Sequence, residues 1–168
     1  MTLGKVSQHG QESSSAGPQN SVSWLLLGGI LSRRFRDGRG ATWFARLIVL
    51  VVFLSNLSAA IPFIVRPARY AWGFEVQGVV GDVVVRSFGL LFLMWVVPYV
   101  PVIVHPVKYR VCFLVILAQQ CLGLVGESWM WAVTPLEHAA LRATGLRFIV
   151  FDAVGLFLLW MGWFVTRS

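Results

Sequence analysis

The sequence predicts an all-α membrane protein: a four-transmembrane-helix bundle preceded by a disordered N-terminal tail. Three observations predict it. Of 168 residues, 57% are hydrophobic and only 12% are charged, against about 25% charged residues in a soluble domain, so a soluble fold could not hide the apolar surface. The apolar residues gather into four runs, and roughly 20 residues at a rise of about 1.5 Å cross the ~30 Å of hydrocarbon in a bilayer as a helix. Eight tryptophans and twelve phenylalanines complete the pattern, because aromatic rings concentrate at the two membrane interfaces. The net charge of +7 would raise the question of nucleic acid in a soluble chain. Here most arginines flank apolar runs, so they read as topology signals and headgroup contacts, and no nucleic-acid partner is expected.

Residues 1–22 are rich in Ser, Gln and Gly and show no helical or strand period, which predicts a disordered tail. Residues 23–41 form a basic juxtamembrane segment: a short apolar patch runs into Arg33, Arg34 and Arg36, as in an interfacial anchor or a linker along the membrane surface. Ser32-Arg33-Arg34 ahead of an apolar run ending in Ser58-Ala59-Ala60 has the outline of a targeting signal. The run continues unbroken through Ile61-Pro62-Phe63-Ile64-Val65, however, so a first transmembrane helix over Thr42–Val65 is the better account. Ser55, Asn56 and Ser58 at its middle are expected to hydrogen-bond a neighbouring helix.

After an interfacial connection carrying Pro67, Tyr70 and Trp72, a second span is expected over Val83–Val104 or from Gly78, in which case Asp82 and Arg86 are four apart and can pair. Pro98 and Pro101 should kink its inner half. The turn His105–Arg110 is tight, which makes the second and third spans a hairpin. The third span is expected over Val111–Gly126, with Gln119 and Gln120 at mid-depth as interhelical glue. Thr134-Pro135-Leu136-Glu137 reads as a helix start with Thr134 as N-cap, and the helix from Pro135 is expected either to run unbroken into a fourth span over Arg147–Val165 or to bend at Gly145. The four-helix domain is thus expected over residues 42–168.

Arg33, Arg34, Arg36, Arg39, Arg46, Lys108, Arg110 and Arg167 lie at one end of this layout, and Arg66, Arg69, Arg86, Arg142 and Arg147 at the other. The excess predicts cytoplasmic N- and C-termini. Asp152 then lies near the outer boundary, in one layer with Arg86 and Glu127. Each sits on a stripe shared with small residues: Asp152 with Gly155 and Gly162, Gln120 and Glu127 with Gly123, Arg86 with Gly89. An ionisable group within a span needs a protein or water partner. Arg86, Glu127, Asp152 and Gln120 are therefore the candidate polar cluster, with Arg86 expected to pair with Asp152, Glu127 or both. Such a cluster is either an outward-opening polar pocket or an ion pair fixing helix register.

Cys112 and Cys121 are nine residues apart in one apolar run, which suggests neither a disulfide nor a metal knuckle. His105 and His138 fall at opposite membrane faces, too far apart to share a haem or metal, and His138 is expected in an exposed loop. With no Gly-rich phosphate loop, nucleophile elbow or zinc-type His spacing, no catalytic residue, metal or cofactor is expected. The leading expectation is a non-enzymatic membrane bundle in the lipid bilayer, either an accessory to a membrane-protein partner or a homo-oligomer. From other classes come a small transporter or channel using the outer polar group and the kinked second span, and a membrane-embedded enzyme or redox component using Asp152 or Glu127 as proton acceptor.

In layout, about the last hundred residues resemble small four-helix bacterial membrane proteins of the DoxX-like kind. Arg86-Ser87-Phe88-Gly89 heads a span, and a short turn containing Pro106 precedes the next. The resemblance implies a four-helix fold and a bacterial plasma membrane, and carries no function with it.

Overall fold

The computed structural model describes residues 38–167. The expected tail over residues 1–22, and all but the end of the basic segment over residues 23–41, lie outside the described residues. The chain forms α1 (Gly38–Val65), a single turn α2 (Ala68–Ala71) running into a 3-10 turn (Trp72–Phe74), α3 (Gly78–Trp95), the short α4 (Tyr99–Val104), α5 (Arg110–Val133) and α6 (Ala139–Arg167). Four stretches are long and apolar enough to cross a membrane: Arg39–Val65, Gly78–Val104, Arg110–Val133 and Ala139–Arg167. This is an all-α membrane protein with no strand among the described residues.

The second span is broken where the prolines require it. Neither Pro98 nor Pro101 can donate a backbone hydrogen bond, so Val97, Tyr99 and Val100 donate instead to the carbonyls three residues back, Met94, Val96 and Val97. This tight turn redirects the chain. Before it, α3 packs on α1, with Val85 and Gly89 buried and Gly81 buried against Val76 of the preceding loop; after it, α4 packs on both α1 and α5. The first helix also packs along α6, and α6 along α5, whereas α3 makes no close backbone packing with α5. The expected hairpin of the second and third spans is therefore formed by α4 alone. At the other end the bundle is open between α3 and α5.

The packed end holds the larger core, in which Val49, Tyr99, Val102, Phe113, Ile116 and Leu159 are fully buried. The open end is filled by aromatic rings: Phe63 lies against Tyr70, Phe74, Phe92 and Phe148, with ring centroids 5.0 to 6.4 Å apart.

Helix ends are capped by side chains from other elements. Arg46 of α1 donates to the carbonyl of Val104 and stacks on Trp43, 5.0 Å from its ring. Arg110 of α5 donates to the Thr166 carbonyl at 3.1 Å, and Arg142 of α6 donates to the carbonyls of Trp131 and Thr134. Each guanidinium satisfies carbonyls left over at a helix C-terminus and lies at the negative end of that helix's dipole.

Three local expectations change. Thr134 ends α5 instead of starting the next helix, because residues 135–138 form a turn and the next helix begins only at Ala139. Its ψ is 123°, and its hydroxyl donates back to Met130 O at 2.7 Å. The last helix starts at Ala139 instead of Pro135, and of the two expected courses it takes the unbroken one past Gly145. Ser55, Asn56 and Ser58 bond to their own helix, at Val51 O, Val52 O and Ser55 O, and to no neighbouring one among the described residues. In hydrocarbon the carbonyl one turn back is always within reach of such a side chain.

At Gly89 of α3, an added Cβ would lie 2.9 Å from Ala60 O and 3.0 Å from Ile64 N, backbone atoms of α1 that cannot move aside. Gly89→Ala is expected to lower the melting temperature in detergent, with an overpacking cost of about 1–3 kcal/mol. Gly126→Ala, where nothing lies within 4 Å, is expected to leave it unchanged or raise it.

Candidate intramembrane polar site

Gln120 is fully buried at the middle of α5 and joins two other helices. Its Nε2 donates to Asp152 Oδ1 of α6 at 2.8 Å, and its Oε1 accepts from the Tyr99 hydroxyl of α4 at 3.1 Å. An amide suits this position because it donates and accepts at once. The tyrosine reaches it because the proline turn directs α4 onto α5.

Glycines make room for both polar side chains, reciprocally. A Cβ on Gly155 would lie 2.8 Å from Gln120 Nε2, and one on Gly123 would collide with Asp152 Oδ2. Gln120 and Gly123 are three apart on α5, and Asp152 and Gly155 are three apart on α6. Because the two helices run antiparallel, each long polar side chain faces the other helix's glycine. The same one-turn spacing on both helices sets their register, since a shift of one residue would put a polar group against a side chain.

Of the candidate cluster, the structure brings Gln120 and Asp152 together, sets Glu127 one turn beyond Gly123 on the same helix, and leaves Arg86 out. Arg86 is exposed and forms no ion pair with Asp152, Glu127 or Asp82 among the described residues. The physical reason is helical phase. The inward stripe of α3 passes from Gly89 to Val85 and Gly81, four residues at a time, which turns Arg86 outward. Asp152 instead takes its hydrogen bond from an amide, the neutral partner that a buried carboxylate can share without a second desolvated charge.

Glu127 is half-buried, and its Oε2 has no hydrogen-bond partner among the described residues. It lines a cavity of about 260 Å³ at the open end, with Phe74, Phe88, Phe92, Trp131 and Phe148. Across Phe74 and Phe148, which stack at 6.1 Å, a second cavity of about 340 Å³ reaches Ser58, Tyr70 and Arg147. The aromatic residues that line the cavity with Glu127 come from the 3-10 turn and three helices, so no local spacing in the sequence marks them.

Compared with protein-family models, curated proteins and solved structures, the chain matches none. The resemblance to DoxX-like proteins remains one of layout.

A latch closes the loops beside these cavities. Glu75 follows the 3-10 turn in left-handed backbone, at φ 54°, a conformation costly for a side chain larger than glycine. From there its carboxylate accepts from His138 Nδ1 at 2.6 Å and from the Leu141 amide at 3.2 Å, capping the first turn of α6 from another loop. This supplies the cap expected of Thr134. His138 is exposed, as expected. His105 lies at the opposite end of the bundle, 3.3 Å from Arg46 Nη2. No group of three or more metal-ligating side chains occurs among the described residues, and Cys112 and Cys121 are free thiols.

Two outcomes follow from this geometry. Asp152→Leu and Gln120→Leu are expected to be non-additive in detergent unfolding, with a coupling of about 0.6–1.7 kcal/mol, whereas Asp152→Leu and Arg86→Leu are expected to add. The latch should depend on pH. The bond from His138, then that from Leu141, holds the Glu75 carboxyl below its ordinary range, and the bond to Glu75 holds His138 above its own, aided by Glu137. Glu75 then stabilises the fold above its unfolded pKa of about 4.5 and loses this as pH falls through the lower folded value; His138 stabilises it below about 6.5 and loses this as pH rises through the higher folded value. The melting difference between the unsubstituted chain and Glu75→Gln is expected to be largest near about pH 6 and to shrink toward about pH 8.5.

Proposed function

We propose that this integral membrane protein is a non-enzymatic helical bundle that acts by associating within the membrane, with another membrane protein or with further copies of itself. The observation that carries the reading is the closed chain Tyr99–Gln120–Asp152. The half-buried Asp152 carboxyl, the buried Gln120 amide and the buried Tyr99 hydroxyl bond to one another across three helices, 2.8 and 3.1 Å apart, with glycines facing the amide and the carboxyl. Groups committed in this way hold helices in register and are poorly placed to exchange protons with a substrate. The excess of basic residues beside the chain ends in the sequence supports cytoplasmic termini.

A second reading, a small transporter or binding protein, is favoured by Glu127, an ionisable side chain that lines the cavity at the open end and has one oxygen without a hydrogen-bond partner among the described residues.

Native mass spectrometry after extraction in a mild detergent tests the first reading. The chain is expected bound to a second copy or a different membrane protein, and the folded Asp152→Asn variant is expected to keep that association. A chain that leaves the membrane solely as a monomer would count against association, and loss of association in folded Asp152→Asn would show that the carboxylate is more than structural.

A further inference from the structure

We infer that the cavity at the open end binds a lipophilic ammonium compound, an organic amine carrying one aromatic ring or a short alkyl chain, with Glu127 as its counter-ion. The inference goes beyond association, because it concerns a site within a single copy of the chain.

The cavity exists because the proline turn carries only α4 onto α5 and leaves α3 apart from it. Phe88 of α3 and Met130 of α5 stand at the two sides of this gap and are both exposed. Entry is therefore sideways from the lipid, which favours a ligand that already partitions into the membrane. At about 260 Å³ the space is just below the ~300–1,000 Å³ of usual small-molecule pockets. It admits a ring with a short chain, and no two-chain phospholipid.

The walls specify the charge. Phe74, Phe92, Trp131 and Phe148 present aromatic surface, which attracts a cation at its faces and repels an anion. A cation already rests on this wall from the outside: the Arg142 guanidinium lies 4.3 Å from the Trp131 ring centre, held by the carbonyls of Trp131 and Thr134. Arg142 is thereby committed and is not part of the cavity lining. Beside the hydroxyl residues Thr134 and Thr144, the ionisable side chain in the lining is Glu127, which lacks a donor for its buried Oε2 and forms no ion pair among the described residues. An ammonium group supplies donor and counter-charge together, where an alcohol supplies the donor alone and a carboxylic acid brings repulsion. Charge-assisted hydrogen bonds are about twice as strong as neutral ones, so the amine should be preferred over the alcohol by about tenfold.

The probes are 4-phenylbutylamine, 4-phenylbutanol and 4-phenylbutyrate, titrated calorimetrically into the full chain in lipid nanodiscs, with empty nanodiscs subtracted. The amine is expected to bind about tenfold more tightly than the alcohol, and the acid most weakly. Glu127→Gln is expected to abolish the preference for the amine while leaving the alcohol unchanged; Phe148→Ala should weaken both, and Arg86→Leu neither. Equal binding of amine and alcohol, a preference that survives Glu127→Gln, or no saturable binding of any probe at millimolar concentration would overturn the inference. If Glu127→Gln fails to fold, labelling of Glu127 by dicyclohexylcarbodiimide in the unsubstituted protein decides the matter: the amine should protect and the alcohol should not, and equal labelling with either would overturn it.

Discussion

Hydrocarbon offers no hydrogen-bond partner, and this shortage governs how the bundle is built. Most polar side chains carried into a span are satisfied by the protein itself, Gln119 and Glu127 each keeping a buried oxygen without a partner among the described residues. Ser55, Asn56, Ser58 and Ser87 do so within their own helices, at the carbonyl three or four residues back. Asp152 does so between helices, through Gln120. The exchange works because α5 and α6 carry the same device in opposite directions, a polar side chain with a glycine three residues on. Once the two helices interlock there, their register is set, and Tyr99 can close the chain of bonds only if α4 is brought up beside them.

That placement depends on a backbone defect. By removing two donors, Pro98 and Pro101 divide the second span into pieces that pack on different neighbours. The end at which α1 begins and α6 finishes gains a dense core around Tyr99, Phe113 and Leu159. The other end is left open between α3 and α5 and is filled by rings that pack less completely, with cavities on either side of Phe74 and Phe148. One end of the molecule is thus a rigid base, and the other has room for a ligand. The polar chain runs from the dense core, at Tyr99, toward the open end, where Glu127 lines the cavity.

The charged residues near the membrane faces do more than orient the chain. Arg46, Arg110 and Arg142 satisfy carbonyls at the ends of α4, α6 and α5, and the Glu75 carboxylate satisfies the first turn of α6. Each cap comes from a different element, so helix ends that would otherwise fray are tied to the tertiary structure. A guanidinium at a helix C-terminus and a carboxylate at an N-terminus both lie favourably in the helix dipole.

Hydrophobic length and composition, properties of each segment alone, were enough to predict four membrane-crossing helices, the disturbance at Pro98 and Pro101, and the small-residue stripes of α5 and α6. The contact of Gln120 with Asp152 was nearly legible, because one-turn spacing of polar and small residues on two helices is a local pattern. Only the tertiary structure decided which face of α3 turns inward. The stripe through Gly89 could pass through Val85 or Arg86, and close packing of Gly89 on the backbone of α1 selects Val85 and sends the arginine outward. It also decided that Glu75, far away in sequence, caps the last helix, and that aromatic residues from four elements meet around Glu127. Those arrangements depend on how separate helices approach one another, and no single segment carries that information.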